Sequence, residues 1–139
     1  MPCTTVAFVR RRLSLMVGAL VAGEYGLQQD KLLDDLALII NTELGLVVIL
    51  GCAHRGMINT LFYTQQLTGV KKIHAVIGGS HLIDTTDERL QMTISTLKDL
   101  DVQKLSLCHC TGAHVIAVLA NEFGDRFVFN SAGTSIEFP

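Results

Sequence analysis

Residues 46–56 have the sequence Leu-Val-Val-Ile-Leu-Gly-Cys-Ala-His-Arg-Gly, a short aliphatic run followed at once by a turn of small residues that contains His54. The aliphatic run is typical of a β-strand. An earlier run, from Leu36 to Asn41, precedes it across a turn that contains Gly45, and this pattern predicts a β-hairpin. After the His54 turn, helical spacing from Gly56 to Leu67 predicts a helix whose shared apolar face is formed by Ile58, Leu61 and Phe62.

The same strand and helix pattern recurs twice along the chain. Strands are predicted from Ile73 to Ile77 and from Lys104 to Cys108, and each is followed by apolar residues at helical spacing. Thr111 is predicted to cap the last helix. Two short strands are predicted at the end, from Phe127 to Phe129 and from Thr134 to Phe138. Successive strand-helix units of this length require parallel pairing with helical crossovers, so the fold class is α/β with a mixed sheet.

A histidine lies in the turn that ends each of the three predicted parallel strands. His54, His81 and His109 are separated by 27 and 28 residues, which is one strand-helix unit each. Because the carboxyl ends of parallel strands share one edge of a sheet, the three turns are expected to meet there. Any one histidine could simply bond to backbone, but three at equivalent positions predict a divalent metal site, with zinc favoured and manganese or iron as alternatives. A structural or solvent-facing role is predicted for His74 and His114.

The cysteines are interpreted as packing residues. Alternation along an extended chain would send Cys108 and Cys110 to one face and His109 to the other, which excludes a compact Cys-His-Cys metal triplet. Cys52 beside His54 could be a nucleophile, but no base or acid accompanies it in the local sequence, and buried packing is favoured.

Three polar residues near the histidine turns are candidates for substrate binding. Arg55 is interpreted as an anion contact, while Asn59 and Thr111 could orient a phosphate or a water. Helix capping and ordinary turn formation explain Asn59 and Thr111 equally well. The sequence does not identify a catalytic acid or base.

Composition bounds the class of protein. The chain has 139 residues, of which 17% are charged, and a formal net charge of -2, so it fits one globular domain and has no basic field for nucleic acid. The cysteine spacing favours reduced thiols and a cytoplasmic location. The stretch from Arg10 to Ala22 resembles a secretory signal, which keeps export as the alternative, and its apolar run is too short to span a membrane.

Three motifs resemble a known family. They are Gly51-Cys52-Ala53-His54-Arg55-Gly56-Met57-Ile58-Asn59, Ala75-Val76-Ile77-Gly78-Gly79-Ser80-His81-Leu82 and Cys108-His109-Cys110-Thr111-Gly112. Together they are similar to the C-terminal half of the metallo-β-lactamase superfamily, in the branch that includes dihydropterin ribofuranosylaminobenzene phosphate synthase. The resemblance extends from Leu32 to Phe138. It implies half of an αββα sandwich, whose complete form binds one or two metal ions, usually zinc, that activate water to hydrolyse esters, amides, thioesters or phosphodiesters.

The resemblance also assigns the histidines. His54 resembles the first metal-binding histidine of the C-terminal half and His109 the last, while His81 stands where many members have a bridging aspartate. The family's N-terminal His-x-His-x-Asp-His motif is absent, because no histidine precedes His54. The expected organisation is therefore a divergent and partly disordered segment, 1–31, followed by a half-domain, 32–139, of a truncated enzyme in which the metal could be lacking.

Two functions are consistent with this pattern. The first is a metal-dependent hydrolase with a small-molecule substrate, incomplete or inactive as an isolated chain. The second is a non-catalytic half-domain that acts as a binding or oligomerisation module. Half a sandwich would expose one apolar sheet face, so we expect a homodimer or association with a complementary N-terminal half, with no nucleic-acid or membrane partner.

Overall fold

A five-stranded mixed sheet forms the centre of the structure, a computed structural model that describes residues 3–5, 20–30 and 35–137. The strands of the chain are β1 (Cys3–Thr5), β2 (Leu20–Gly23), β3 (Gly26–Gln29), β4 (Ala37–Thr42), β5 (Gly45–Leu50), β6 (Ile73–Gly79) and β7 (Lys104–Cys108). The sheet has the order β1-β4-β5-β6-β7, in which β1, β4 and β5 pair antiparallel and β5, β6 and β7 pair parallel. A separate antiparallel hairpin consists of β2 and β3.

Three helices cross between and after the parallel strands and cover one face of the sheet. They are α1 (Met57–Thr68), α2 (Asp87–Asp99) and α3 (Ala113–Phe123). Their apolar side chains form one core with the strand residues of that face, and the fully buried members include Ile39, Leu46, Val48, Leu61, Ile73, Val76, Leu97, Leu105 and Leu119. The α/β class, the hairpin of β4 and β5 and the three strand-helix units predicted from the sequence are therefore confirmed.

The opposite face of the sheet carries a second set of apolar side chains. The register places Ile40 beside Val47 and Ile49 beside Ile77 on this face. None of these residues belongs to the core under the helices. The chain after α3 runs beside this face and leaves a groove of about 480 Å³, lined by Ile40, Thr42, Val47, Ile49, Ile77, Asn130, Thr134 and Ile136.

The structure corrects several local predictions. Of the strand expected from Phe127 to Phe129, only Phe127 forms a bridge, to Leu105, because the chain leaves the edge of β7 after one backbone bond from Val128 to the Leu105 carbonyl. Residues 134–137 form no strand, and residue 138 lies outside the described part. Phe62 is half exposed rather than buried, since the buried face of α1 is formed by Met57, Thr60, Leu61, Thr64 and Gln65.

Two further predictions concern helix capping and the N-terminal segment. Thr111 does not cap α3, because the N-cap residue is Gly112 and Thr111 lies in a preceding 3₁₀ turn, His109–Thr111. The signal-like stretch falls outside the described residues up to position 19, and its last three residues lie in β2. No helix in the described ranges is both long and apolar enough to cross a membrane. The boundary between 1–31 and 32–139 stays a prediction.

Candidate metal site

The turns that follow β5, β6 and β7 meet at one end of the sheet. The Gly79 N–H donates to the Gly51 carbonyl at 2.9 Å, which joins the first turn to the second. The Ile83 N–H donates to the Cys110 carbonyl at 3.2 Å, which joins the second turn to the third. The topology therefore brings together the three segments in which the sequence places His54, His81 and His109.

A residue other than glycine adopts a left-handed backbone conformation in each of these turns. The φ angles are 53° at Ala53, 49° at His81 and 54° at His109. Such angles are uncommon for residues with a β-carbon, and they are concentrated at functional sites where the surrounding structure holds them. Two of the three residues are histidines predicted to bind metal.

His54 and His81 form a close pair. Their ring centroids lie 4.7 Å apart with the rings nearly perpendicular. Burial, and after it the neighbouring His54, lowers the pKa of His81, so its imidazole favours the neutral form that binds metals. The Nδ1 atom of His81 is buried and has no hydrogen-bond partner in the described structure. An unpartnered nitrogen beside a second imidazole fits a metal ligand.

His109 belongs to a different group of donors. One ligand atom each from Cys52, His109 and Cys110 lies within 4.8 Å of the others, and no other group of three such residues meets this distance in the described part of the chain. The three-histidine centre is therefore divided in the structure between the pair of His54 and His81 and this neighbouring group. As a single centre it stays a prediction.

The structure also corrects the predicted orientation of the cysteines. The chain leaves β7 in a 3₁₀ turn rather than in extended form, with His109 at positive φ, and this brings Cys110 and His109 together. Cys108 does not belong to this group, and its Sγ accepts from the Asn130 side chain at 3.5 Å. Burial, and after it Cys110, raises the pKa of the Cys52 thiol, which disfavours Cys52 as an isolated nucleophile.

The predicted substrate-binding residues occupy three different environments. Arg55 is buried, and its backbone N–H donates to the Asp35 carboxylate at 3.0 Å. Asn59 is exposed and donates to the Arg55 carbonyl at 2.9 Å, beside a cavity of about 90 Å³ between α1 and α2. Thr111 is fully buried and bonds to Ser80 and to the Cys108 carbonyl. A substrate contact by any of the three stays a prediction.

Asp35 lies beside the metal turns, although its position in the sequence does not mark it as a site residue. Besides accepting from Arg55, its carboxylate is close enough to influence the pKa of both His81 and Cys52. It lies just before β4, nineteen positions ahead of His54, so only the pairing of β4 with β5 brings it to the metal turns. In the sequence, the feature that points to a role for Asp35 is an acidic side chain placed directly before an apolar strand.

No family model matches the sequence. The chain is 39% identical over 109 residues to 7,8-dihydropterin-6-methyl-4-(β-D-ribofuranosyl)-aminobenzene-5'-phosphate synthase of Methanocaldococcus jannaschii, a match that covers 78% of this chain and 37% of that protein. It is 31% identical over 108 residues to the uncharacterized protein MJ0448 of the same organism, a match that covers 78% of this chain and 38% of that protein. The chain thus spans well under half the length of these curated relatives.

A solved structure, Tm1679, is described as a metal-dependent hydrolase of the β-lactamase superfamily. It matches with a TM-score of 0.79 and 30% identity, over 86% of this chain and 46% of its own. Fold and sequence therefore define the class of protein: the chain is a relative of the metal-dependent hydrolases of the metallo-β-lactamase superfamily. Within that class, the dihydropterin ribofuranosylaminobenzene phosphate synthase is a homologue, as the three histidine motifs indicated.

Proposed function

We propose that the chain carries part of a metal-dependent hydrolase centre, in which His54, His81 and His109 provide imidazole ligands for a divalent ion. The observation that supports this most is the buried, unpartnered Nδ1 of His81 beside the His54 ring. Leaving a buried polar atom without a partner costs free energy, and a ligand that bonds to it would recover that cost. Zinc is the ion proposed, with manganese and iron as alternatives.

The chemistry proposed is hydrolysis of a small-molecule substrate. When bound, a divalent ion would lower the pKa of water and polarise the substrate. His81 and His54 would hold the ion, and Arg55, Asn59 and Thr111 would orient an anionic group beside it. We also propose that the isolated chain binds metal without hydrolysing substrate, because no sequence of the form His-x-His-x-Asp-His precedes His54.

Metal content tests the proposed centre. Purified wild-type protein should retain a divalent metal by mass spectrometry, and added zinc at 100 times its Kd should raise the free energy of unfolding by about 2.7 kcal/mol. His81→Ala should bind less metal than wild-type protein and should show a smaller zinc-dependent rise in melting temperature, since it removes the buried nitrogen. His114→Ala is the matched control, because His114 is exposed on α3.

The possible outcomes distinguish the two functions. If wild-type protein binds no zinc, manganese or iron, the hydrolase proposal fails and the chain is better described as a non-catalytic binding or oligomerisation module. If His81→Ala and His114→Ala retain metal equally, an ion is bound elsewhere than at the histidine pair.

We propose that the partner of the chain is a second copy, joined through the sheet face opposite the helices. That face presents Ile40, Ile49 and Ile77 along a groove of about 480 Å³. Two such faces related by a two-fold axis would bury apolar side chains from both copies, and cyclic dimers are the commonest oligomers.

Sedimentation velocity at tens of micromolar tests the dimer. Wild-type protein should sediment as a dimer, and Ile49→Lys should sediment as a monomer because it would bury a charge at the interface. Met92→Lys is the control, since Met92 is 71% exposed on α2, on the other side of the sheet. A monomeric wild-type protein would refute the dimer without affecting the metal site.

A further inference from the structure

The group formed by Cys52, His109 and Cys110 lies beside the histidine pair and has its own chemistry. Its donor atoms come from the turns after β5 and β7, which are far apart in sequence, and all lie within 4.8 Å of one another. The Cys110 Sγ–H donates to the Cys52 carbonyl at 3.5 Å, so the two turns are in direct contact at this point. The arrangement requires tertiary structure and is not a local motif.

Backbone atoms of the second turn pack closely against the Cys110 sulfur. The backbone N–H of His81 donates to Cys110 Sγ at 3.3 Å. A β-carbon on Gly79 would lie 2.6 Å from the Gly51 carbonyl oxygen and 2.9 Å from that sulfur, so glycine at this position lets the turns approach one another closely.

We propose that Cys52, His109 and Cys110 form a thiolate-containing site for a soft divalent ion such as zinc. Two cysteines and one histidine are an established zinc ligand set that leaves a fourth position open. Tetrahedral coordination places such donors about 3.6 Å apart, so donors that already lie within 4.8 Å of one another need only a small further approach to close the site. On binding, each thiol loses its proton to solvent and its sulfur donates an electron pair to the ion.

The donor set predicts selectivity. Thiolates favour zinc, cobalt(II) and cadmium over magnesium, calcium and manganese, which prefer oxygen ligands. The thiolate site shares His109 with the proposed histidine centre. Its existence does not depend on that centre, because both sulfur ligands lie outside it.

Cobalt(II) titration of the reduced, full-length chain tests the site. Cobalt bound to thiolates has a strong sulfur-to-metal charge-transfer absorption in the near ultraviolet, which imidazole ligands alone do not produce. We expect this band in wild-type protein, we expect it to be weakened in Cys52→Ser and in Cys110→Ser, and we expect it to be absent when both cysteines are replaced. Cys108→Ser should retain it, since Cys108 is equally half-buried but contacts Asn130 instead.

A second measurement uses only wild-type protein and so does not depend on whether the variants fold. Zinc should protect Cys52 and Cys110 from alkylation, measured by peptide mass spectrometry, and leave the labelling of Cys108 unchanged. Equal labelling with and without zinc would overturn the inference, as would a charge-transfer band that remains when both Cys52 and Cys110 are replaced by serine.

The results also separate this site from the histidine centre. Cobalt binding without a charge-transfer band would refute the thiolate site and leave the histidine centre standing. A charge-transfer band combined with unchanged metal content in His81→Ala would refute the histidine centre and leave the thiolate site standing.

Discussion

Gly78→Ala is expected to destabilise the protein by roughly 2–5 kcal/mol, which combines left-handed strain with an overpacked contact. Gly78 has a φ of 114°, a conformation that residues with a β-carbon rarely adopt. A β-carbon there would also fall well inside contact distance of the Leu50 carbonyl oxygen on the neighbouring strand. Because Leu50 and Gly78 are paired on neighbouring strands, neither backbone can move away cheaply. Urea denaturation followed by circular dichroism measures the loss.

Gly69→Ala is the control for backbone strain alone. Gly69 ends α1 with a φ of 72°, and no atom lies within 4 Å of where its β-carbon would be. We expect it to cost about 1–2 kcal/mol, the conformational term without the clash. If the two variants lose equal stability, the close approach of β5 and β6 at Gly78 does not exist in solution.

The strand-helix repeat could be predicted from the sequence because each element is encoded locally. The predicted strand from Lys104 to Cys108 has the same bounds as β7, and the predicted hairpin differs from β4 and β5 by one residue at some ends. Buried parallel strands give continuous aliphatic runs, and Gly69 and Gly124, residues of a type that commonly ends helices, follow α1 and α3.

Pairing between distant segments could not be predicted in the same way. The strand β1 joins the edge of the sheet against β4, more than thirty residues later, and nothing local in Cys3–Thr5 specifies that partner. At the other end, Ile136 lines the groove on the second sheet face without joining the sheet. An apolar residue near the end of the chain can thus lie against a sheet face without forming a strand. Alternation of apolar and polar residues in the sequence does not distinguish this case from a paired strand.

At the candidate site, the meeting of the three turns could be predicted from the sequence, but the directions of the His109 and Cys110 side chains could not. Equivalent positions after three parallel strands were enough to predict that the histidine turns meet. The grouping of His109 with Cys110 depends on a positive φ at His109, which converts an extended exit from β7 into a 3₁₀ turn. Asp35 enters the site only through the pairing of β4 with β5.

Thr111→Val is expected to destabilise the protein by roughly 2–3 kcal/mol, the cost of leaving buried polar groups unpaired. The Thr111 hydroxyl donates to the Cys108 carbonyl at 2.7 Å and accepts from the Ser80 hydroxyl at 2.9 Å, and both side chains are almost completely buried. Valine has nearly the same shape, so packing is retained while both bonds are lost. Urea denaturation measures the stability, and cobalt or zinc affinity measured in parallel should fall because the second and third turns lose their buried link.

A double-mutant cycle with Ser80→Ala separates this positioning role from substrate binding. Removing both hydroxyls leaves no unpaired Ser80 donor, so the double variant should lose less stability than the sum of the single variants, with a coupling of about 0.5–3 kcal/mol. If Thr111 instead contacts substrate, Thr111→Val should leave both stability and metal affinity unchanged. That result would contradict the structural link between the turns, whereas strong coupling would explain why a buried threonine follows His109 and Cys110 directly.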